Sequence, residues 1–162
     1  MKTIVALCVL FVCYGVLLVP FTDYMAKRPI ALKLGSVPDA QVLKFTTGDQ
    51  RYLVANYFVT KVLFYFGTYL DRDRRAIVDK PEYFNMFKTL ETAVRLDPYN
   101  LDAYYFMQAA FTWELGRAKD VNRVLAYGMR YRTWDYQLPF YAGFNAAYFL
   151  KDYAAAATYM SK

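Results

Sequence analysis

The sequence predicts an all-α protein: one long apolar helix at the N-terminus, followed by a domain of helical hairpins stacked as about three repeats. Three observations predict it. Residues 3–22 carry no charge. Further along, apolar residues recur at three-four spacing in runs separated by turn-forming residues, most clearly Asp97, Pro98, Tyr99 and Asn100. The pattern also repeats: Leu138 lies 34 residues after Tyr104, Tyr159 lies 34 after Leu125, and Ala156 lies 35 after Val121. At 162 residues the chain has room for one domain of ordinary size. The expected organisation is an anchor at 1–28, a connector at 29–50 and a helical repeat domain at 51–162.

Residues 3–22, as a helix rising 1.5 Å per residue, extend about 30 Å, the thickness of a hydrocarbon core. They read as a single-pass anchor in the lipid bilayer. A cleaved signal peptide is the competing reading. Pro20, Phe21, Thr22, Asp23 and Tyr24 are too bulky for a small-residue cleavage site, and Cys8 follows Leu7 too early for a lipoprotein box. Lys2 argues for a cytoplasmic N-terminus, whereas Lys27, Arg28 and Lys33 argue the other way. The short Met-Lys start favours N-inside, with the body extracytoplasmic.

Residues 29–50 contain Pro29, Gly35, Pro38 and Gly48 without sustained periodicity, and read as a connector with an extended piece at 41–46. Residues 51–67 are apolar on nearly every face, as in a central core helix or a face that docks on another membrane protein. The mixed charges of 71–80 read as a solvated loop, with Arg72, Arg74 and Arg75 as candidates for headgroup contact. Pro81 suits the first turn of a helix running to Leu96. Asn100 is a good N-cap for a helix from Leu101 to about Leu115, because its side chain can accept a free first-turn N–H. Gly116 marks the next turn. A partner helix runs from about Ala118 to Tyr131, with Lys119, Arg123 and Arg130 on one face. A third pair begins near Asp135, where Gly143, Ala146, Ala147, Ala154 and Ala157 permit close helix approach.

The residues Ala93, Val94, Leu96, Asp97, Pro98, Tyr99 and Asn100, then Ala103, Tyr104, Tyr105, Met107, Ala109, Ala110 and Phe111, with Gly116 at the following turn, resemble the tetratricopeptide repeat. That resemblance implies a scaffold whose first helices line a protein-binding groove. On that analogy Asn56, Tyr105, Gln108, Thr112 and Asn145 are the groove candidates. The subclass that binds carboxylate chain ends uses Lys, Arg and Asn there. This chain offers Asp102, Tyr105, Ala109 and Thr112 instead, which favours an apolar helix or an aromatic-rich segment. Phe140, Tyr148, Tyr153 and Met160 mark a C-terminal edge without a polar capping helix. Either the array has been shortened or another subunit covers that edge.

Other chemistries find little support. The chain has no histidine, which removes His-based triads and His metal sites. Its two cysteines, Cys8 and Cys13, both lie in the apolar stretch. No phosphate loop or nucleophile elbow is present. Neither enzymatic activity nor a cofactor or metal is expected. The net charge of +6 suits anionic surroundings, but the basic residues lack the dense groove of a nucleic-acid binder. The expected role is a membrane-anchored scaffold or accessory subunit of a larger envelope complex, with protein partners from that envelope. Self-assembly into a homo-oligomer through repeat ends, and peptide or lipid binding, are the alternatives.

Overall fold

The computed structural model describes residues 2–27, 34–71, 76–77 and 81–162. The chain divides into two compact units, 1–32 and 33–162. The first is a single helix, α1 (Lys2–Lys27). Within it Ala6–Tyr24 is long and apolar enough to cross a membrane, with a mean hydropathy of 2.0, and none of that stretch is buried against protein.

Among the described residues the second unit is mainly helical, with one short antiparallel ladder. Its helices are α2 (Ala40–Thr47), α3 (Arg51–Thr68), α4 (Tyr83–Leu96), α5 (Leu101–Met107), α6 (Ala118–Gly128), α7 (Gln137–Tyr148) and α8 (Tyr153–Met160). A π-helical segment, Gln108–Thr112, continues α5. The ladder pairs β1 (Leu70–Asp71) with β2 (Ala76–Ile77), placing Leu70 opposite Ile77. Arg72, Arg74 and Arg75, the headgroup candidates, lie outside the described residues.

Helix α2 replaces the extended piece expected at 41–46. Local chemistry decides it. Asp39 accepts the Gln41 N–H at 2.8 Å at one end, and Gly48 at φ 51° stops the helix at the other. Asn100 caps α5 as its sequence suggests, accepting the Ala103 N–H at 3.2 Å. Asp152 caps α8 by accepting from Ala155 at 2.9 Å. Pro81 sits ahead of α4 rather than in its first turn. The Glu82 N–H beside it donates to the Tyr65 hydroxyl at 2.8 Å, which ties the start of α4 to the end of α3.

Two helix ends close with a bond from the seventh residue back to the first. Arg117 N–H donates to Phe111 O across Gly116 at φ 63°, and Asp152 N–H donates to Ala146 O across Lys151 at φ 57°. Glycine adopts that left-handed conformation freely, whereas a lysine there is strained.

The core runs through the second unit. Val62 of α3, Met86 and Leu90 of α4, Tyr104 and Met107 of α5, Phe111 of the π segment, Val121 and Leu125 of α6, and Leu138 of α7 are all fully buried. Helix α3 packs on α4, the π segment and α5 pack on α6, and α7 packs on α6 and α8. Edge-on ring pairs join α3 to α5, Phe66 with Phe106 at 5.4 Å, and α4 to the π segment, Phe87 with Phe111 at 5.3 Å. Gly128 lets α6 close on α5, since a β-carbon there would lie 2.6 Å from the Tyr104 ring. Helix α3 departs from the core-helix expectation. It buries Ala55, Phe58, Val59, Val62 and Tyr65, but leaves Leu53, Tyr57 and Phe64 exposed on its other side.

Candidate functional site

Helices α5 and α7 face each other across an open groove of about 430 Å³. Its lining is Tyr105, Gln108, Ala109 and Trp113 from one side and Phe140, Tyr141 and Phe144 from the other. No charged residue contributes. Tyr105, Ala109 and Trp113 follow one another at four-residue intervals, so they form one row, and Ala109 leaves a gap between two large rings. Tyr105, Trp113 and Phe140 are more than half exposed, at 62%, 56% and 53%. At one end the groove meets a ring cluster. Trp113 stands edge-on to Phe149 at 5.0 Å, and Phe144 stacks on Tyr148 at 5.4 Å. The Tyr141 hydroxyl is held above the ordinary phenol range, mainly by burial, and is therefore a neutral hydrogen-bonding group at pH 7.

Two expected sets of residues thus converge. Tyr105 (a groove candidate) and Phe140 (an edge candidate) form opposite walls of the same cleft. Three other groove candidates do something else. Gln108, Thr112 and Asn145 are buried and linked by hydrogen bonds that hold helices together, and of the three only Gln108 reaches the groove, at its floor. Gln108 Nε2 donates to Asn145 Oδ1 at 2.8 Å, and Asn145 Nδ2 donates back to Gln108 Oε1 at 2.7 Å. Asn145 Nδ2 also donates to Asn122 Oδ1 at 2.9 Å, and Asn122 Nδ2 donates to the Ala142 carbonyl at 2.9 Å. Thr112 Oγ1 adds a longer bond of 3.4 Å to Gln108 Oε1. This amide ladder joins α5 and its π continuation to α6 and α7. Buried amides are costly when unpaired, so these bonds fix one register of the three helices.

Asn56 lies outside the groove. It is exposed on α3 and accepts from Asn100 Nδ2 at 2.6 Å, steadying the residue that caps α5. Tyr148 and Tyr153 are exposed, on α7 and α8. Met160 is half exposed, but its Cγ fills the space beside Gly143, where a β-carbon would meet it at 2.7 Å. Trp113, Tyr141 and Phe144 are groove residues that the sequence reading passes over. The four-residue spacing of Tyr105, Ala109 and Trp113, matched by Phe140, Phe144 and Tyr148, is the signal that identifies them.

Among the described residues no three His, Cys, Asp or Glu side chains come close enough to hold a metal. The groove can bind apolar and aromatic groups, with the Tyr105 and Tyr141 hydroxyls supplying orientation. The chain matches no family model, no curated protein and no solved structure.

Proposed function

We propose that this protein is a membrane-anchored helical scaffold of the tetratricopeptide kind. On this reading α3/α4, α5/α6 and α7/α8 are its three repeats, and it serves as an accessory subunit of a larger envelope complex. The single observation that carries the proposal is the uncharged, aromatic-walled groove between α5 and α7. Those are the first helices of the second and third pairs, where the sequence resemblance implies that a partner binds. Exposed Trp and Tyr side chains around a small residue are suited to anchor an apolar helix or an aromatic-rich segment of a partner. The apolar helix Ala6–Tyr24 supports a single-pass anchor, with the helical domain outside the cytoplasm.

The test is the native mass of the full-length protein, gently solubilised from its own membrane, with identification of the chains that co-elute. A stoichiometric foreign subunit is expected, and Trp113→Ala and Tyr105→Ala should each weaken its binding by about 2 kcal/mol, roughly 30-fold. A monomer that recovers no partner sinks the proposal.

Helix α8 favours a second reading. Of its residues only Ala156 is buried, and Tyr153, Ala154 and Ala157 form an exposed apolar surface. Self-association through this end predicts a homo-oligomer that Tyr153→Lys dissolves while the groove variants leave it intact.

A further inference from the structure

A second hollow, of about 350 Å³, lies on a different part of the helical unit and has the opposite character. Lys44 of α2, Arg51 at the start of α3 and Arg95 in the last turn of α4 line it, together with Tyr52, Tyr99 and Tyr131. Its ionisable lining is therefore three cations and three phenols, without a carboxylate.

The cations are held in different ways. Arg51 donates from Nη2 to the Tyr52 hydroxyl at 2.7 Å, and its guanidinium lies over the Tyr52 ring at 4.8 Å. That contact fixes the guanidinium while its Nε, buried from solvent, has no hydrogen-bond partner. A buried donor on a cation without an acceptor is unfavourable, and an anion bound beside it relieves the cost. Arg95 keeps one ion pair, to Glu91 at 3.1 Å, a residue that does not line the hollow. Lys44 forms no ion pair among the described residues. Asp49 and Asp97 are near enough to act on the charge of Arg51, but neither lines the hollow.

Cationic donors lining one hollow without a carboxylate among them call for a ligand with several anionic oxygens. A phosphate group meets that demand better than a carboxylate. It offers oxygens to the planar forks of two arginines, to the lysine and to the tyrosine hydroxyls together. We infer that this hollow binds the phosphate group of a small anionic ligand. Two sources share that chemistry, a soluble phosphate and the headgroup of an anionic phospholipid.

The test uses the full-length protein and reads its melting temperature. In micelles of a neutral detergent, inorganic phosphate replaces chloride at constant ionic strength, so that general screening is unchanged. In a parallel arm, nanodiscs of phosphatidylcholine are compared with nanodiscs containing phosphatidylglycerol. Phosphate at tenfold excess over its Kd should raise the melting temperature by about 5 °C. A rise with inorganic phosphate assigns a soluble ligand, and a rise with phosphatidylglycerol alone assigns a headgroup. Lys44→Gln and Arg51→Gln should abolish the rise, and Arg123→Gln, on α6 away from the hollow, should keep it. Lys44 is exposed, so its variant folds even if Arg51→Gln does not. No rise in either arm, or a rise that Lys44→Gln retains in full, overturns the inference.

Discussion

Replacing Asn145 by leucine tests the amide ladder most directly. The substitution keeps the volume and removes three hydrogen bonds, the reciprocal pair with Gln108 at 2.7 and 2.8 Å and the bond to Asn122 at 2.9 Å. Gln108 is 6% exposed and Asn122 also 6%, so neither can turn its amide to water. Each stranded group costs about 1–3 kcal/mol. Thr112 still reaches Gln108 Oε1 and Asn122 still reaches the Ala142 carbonyl, which limits the loss to the Gln108 donor and the Asn122 acceptor. The expected destabilisation is therefore about 2–6 kcal/mol. For a folded unit of this size that lowers the melting temperature by about 8–24 °C. The assay is thermal and urea unfolding of the full chain, followed by circular dichroism in a fixed detergent. A double variant, Asn145→Leu with Gln108→Leu, removes both halves of the central pair. It should be less destabilised than the two single variants combined, by about 1–3 kcal/mol. If Asn145→Leu unfolds within 0.5 kcal/mol of wild type (about 2 °C) yet fails to bind partner, the ladder is not holding the helices and Asn145 is a contact residue after all.

Other consequences are as specific. Gly128→Ala drives a methyl group into the Tyr104 ring, which meets it at 2.6 Å, and should cost about 1–3 kcal/mol in the same unfolding assay. Lys151→Gly relieves the left-handed backbone at φ 57° and should stabilise by about 1 kcal/mol, partly offset by loss of the Lys151 contact with the Tyr148 ring at 5.1 Å. Arg132→Ala strips Asp135 of a 2.8 Å ion pair and the Tyr99 carbonyl of a 2.6 Å bond, and should cost about 2–3 kcal/mol. In alkali, burial raises the Tyr65 hydroxyl to about 12, helped by its hydrogen bond with Tyr69, and burial raises Tyr104 as well. Below pH 10 folded and unfolded chains both keep these protons and stability is flat. Above pH 10 the unfolded chain loses them first, so stability should fall through pH 10–12, which a series of melting curves will register.

How much of this is legible in the sequence depends on the range over which each feature is decided. The turn at Pro98 and the cap at Asn100 are legible because proline sterics and an N-cap bond act within three residues. The apolar α1 is legible from composition alone. Helix α2 is not, because eight residues are too few to display a period, and its caps, Asp39 and Gly48, decide it. Helical spacing puts Tyr105, Gln108 and Thr112 on neighbouring rows but cannot say which row meets another helix. That is settled by Asn145, 37 residues beyond Gln108, and by Asn122. Spacing suggests aromatic edges at Phe140 and Tyr148, but only the fold sets Phe140 opposite Tyr105.

The π segment gives the groove an unusual dependence on counting. Each residue of a helix turns the chain by about 100° and advances it 1.5 Å. Deleting any one of the five residues Gln108–Thr112 would let the segment wind as ordinary α-helix. Everything after it would keep its orientation, because a π turn holds one more residue than an α turn over nearly the same rotation. The π winding is what keeps Trp113 in the row it shares with Tyr105 and Ala109. Wound as α-helix at its present length, the eight steps from Tyr105 to Trp113 would carry that ring about 80° out of the row. One wall of the cleft is thus encoded in how the residues between Tyr105 and Trp113 wind as much as in their identity.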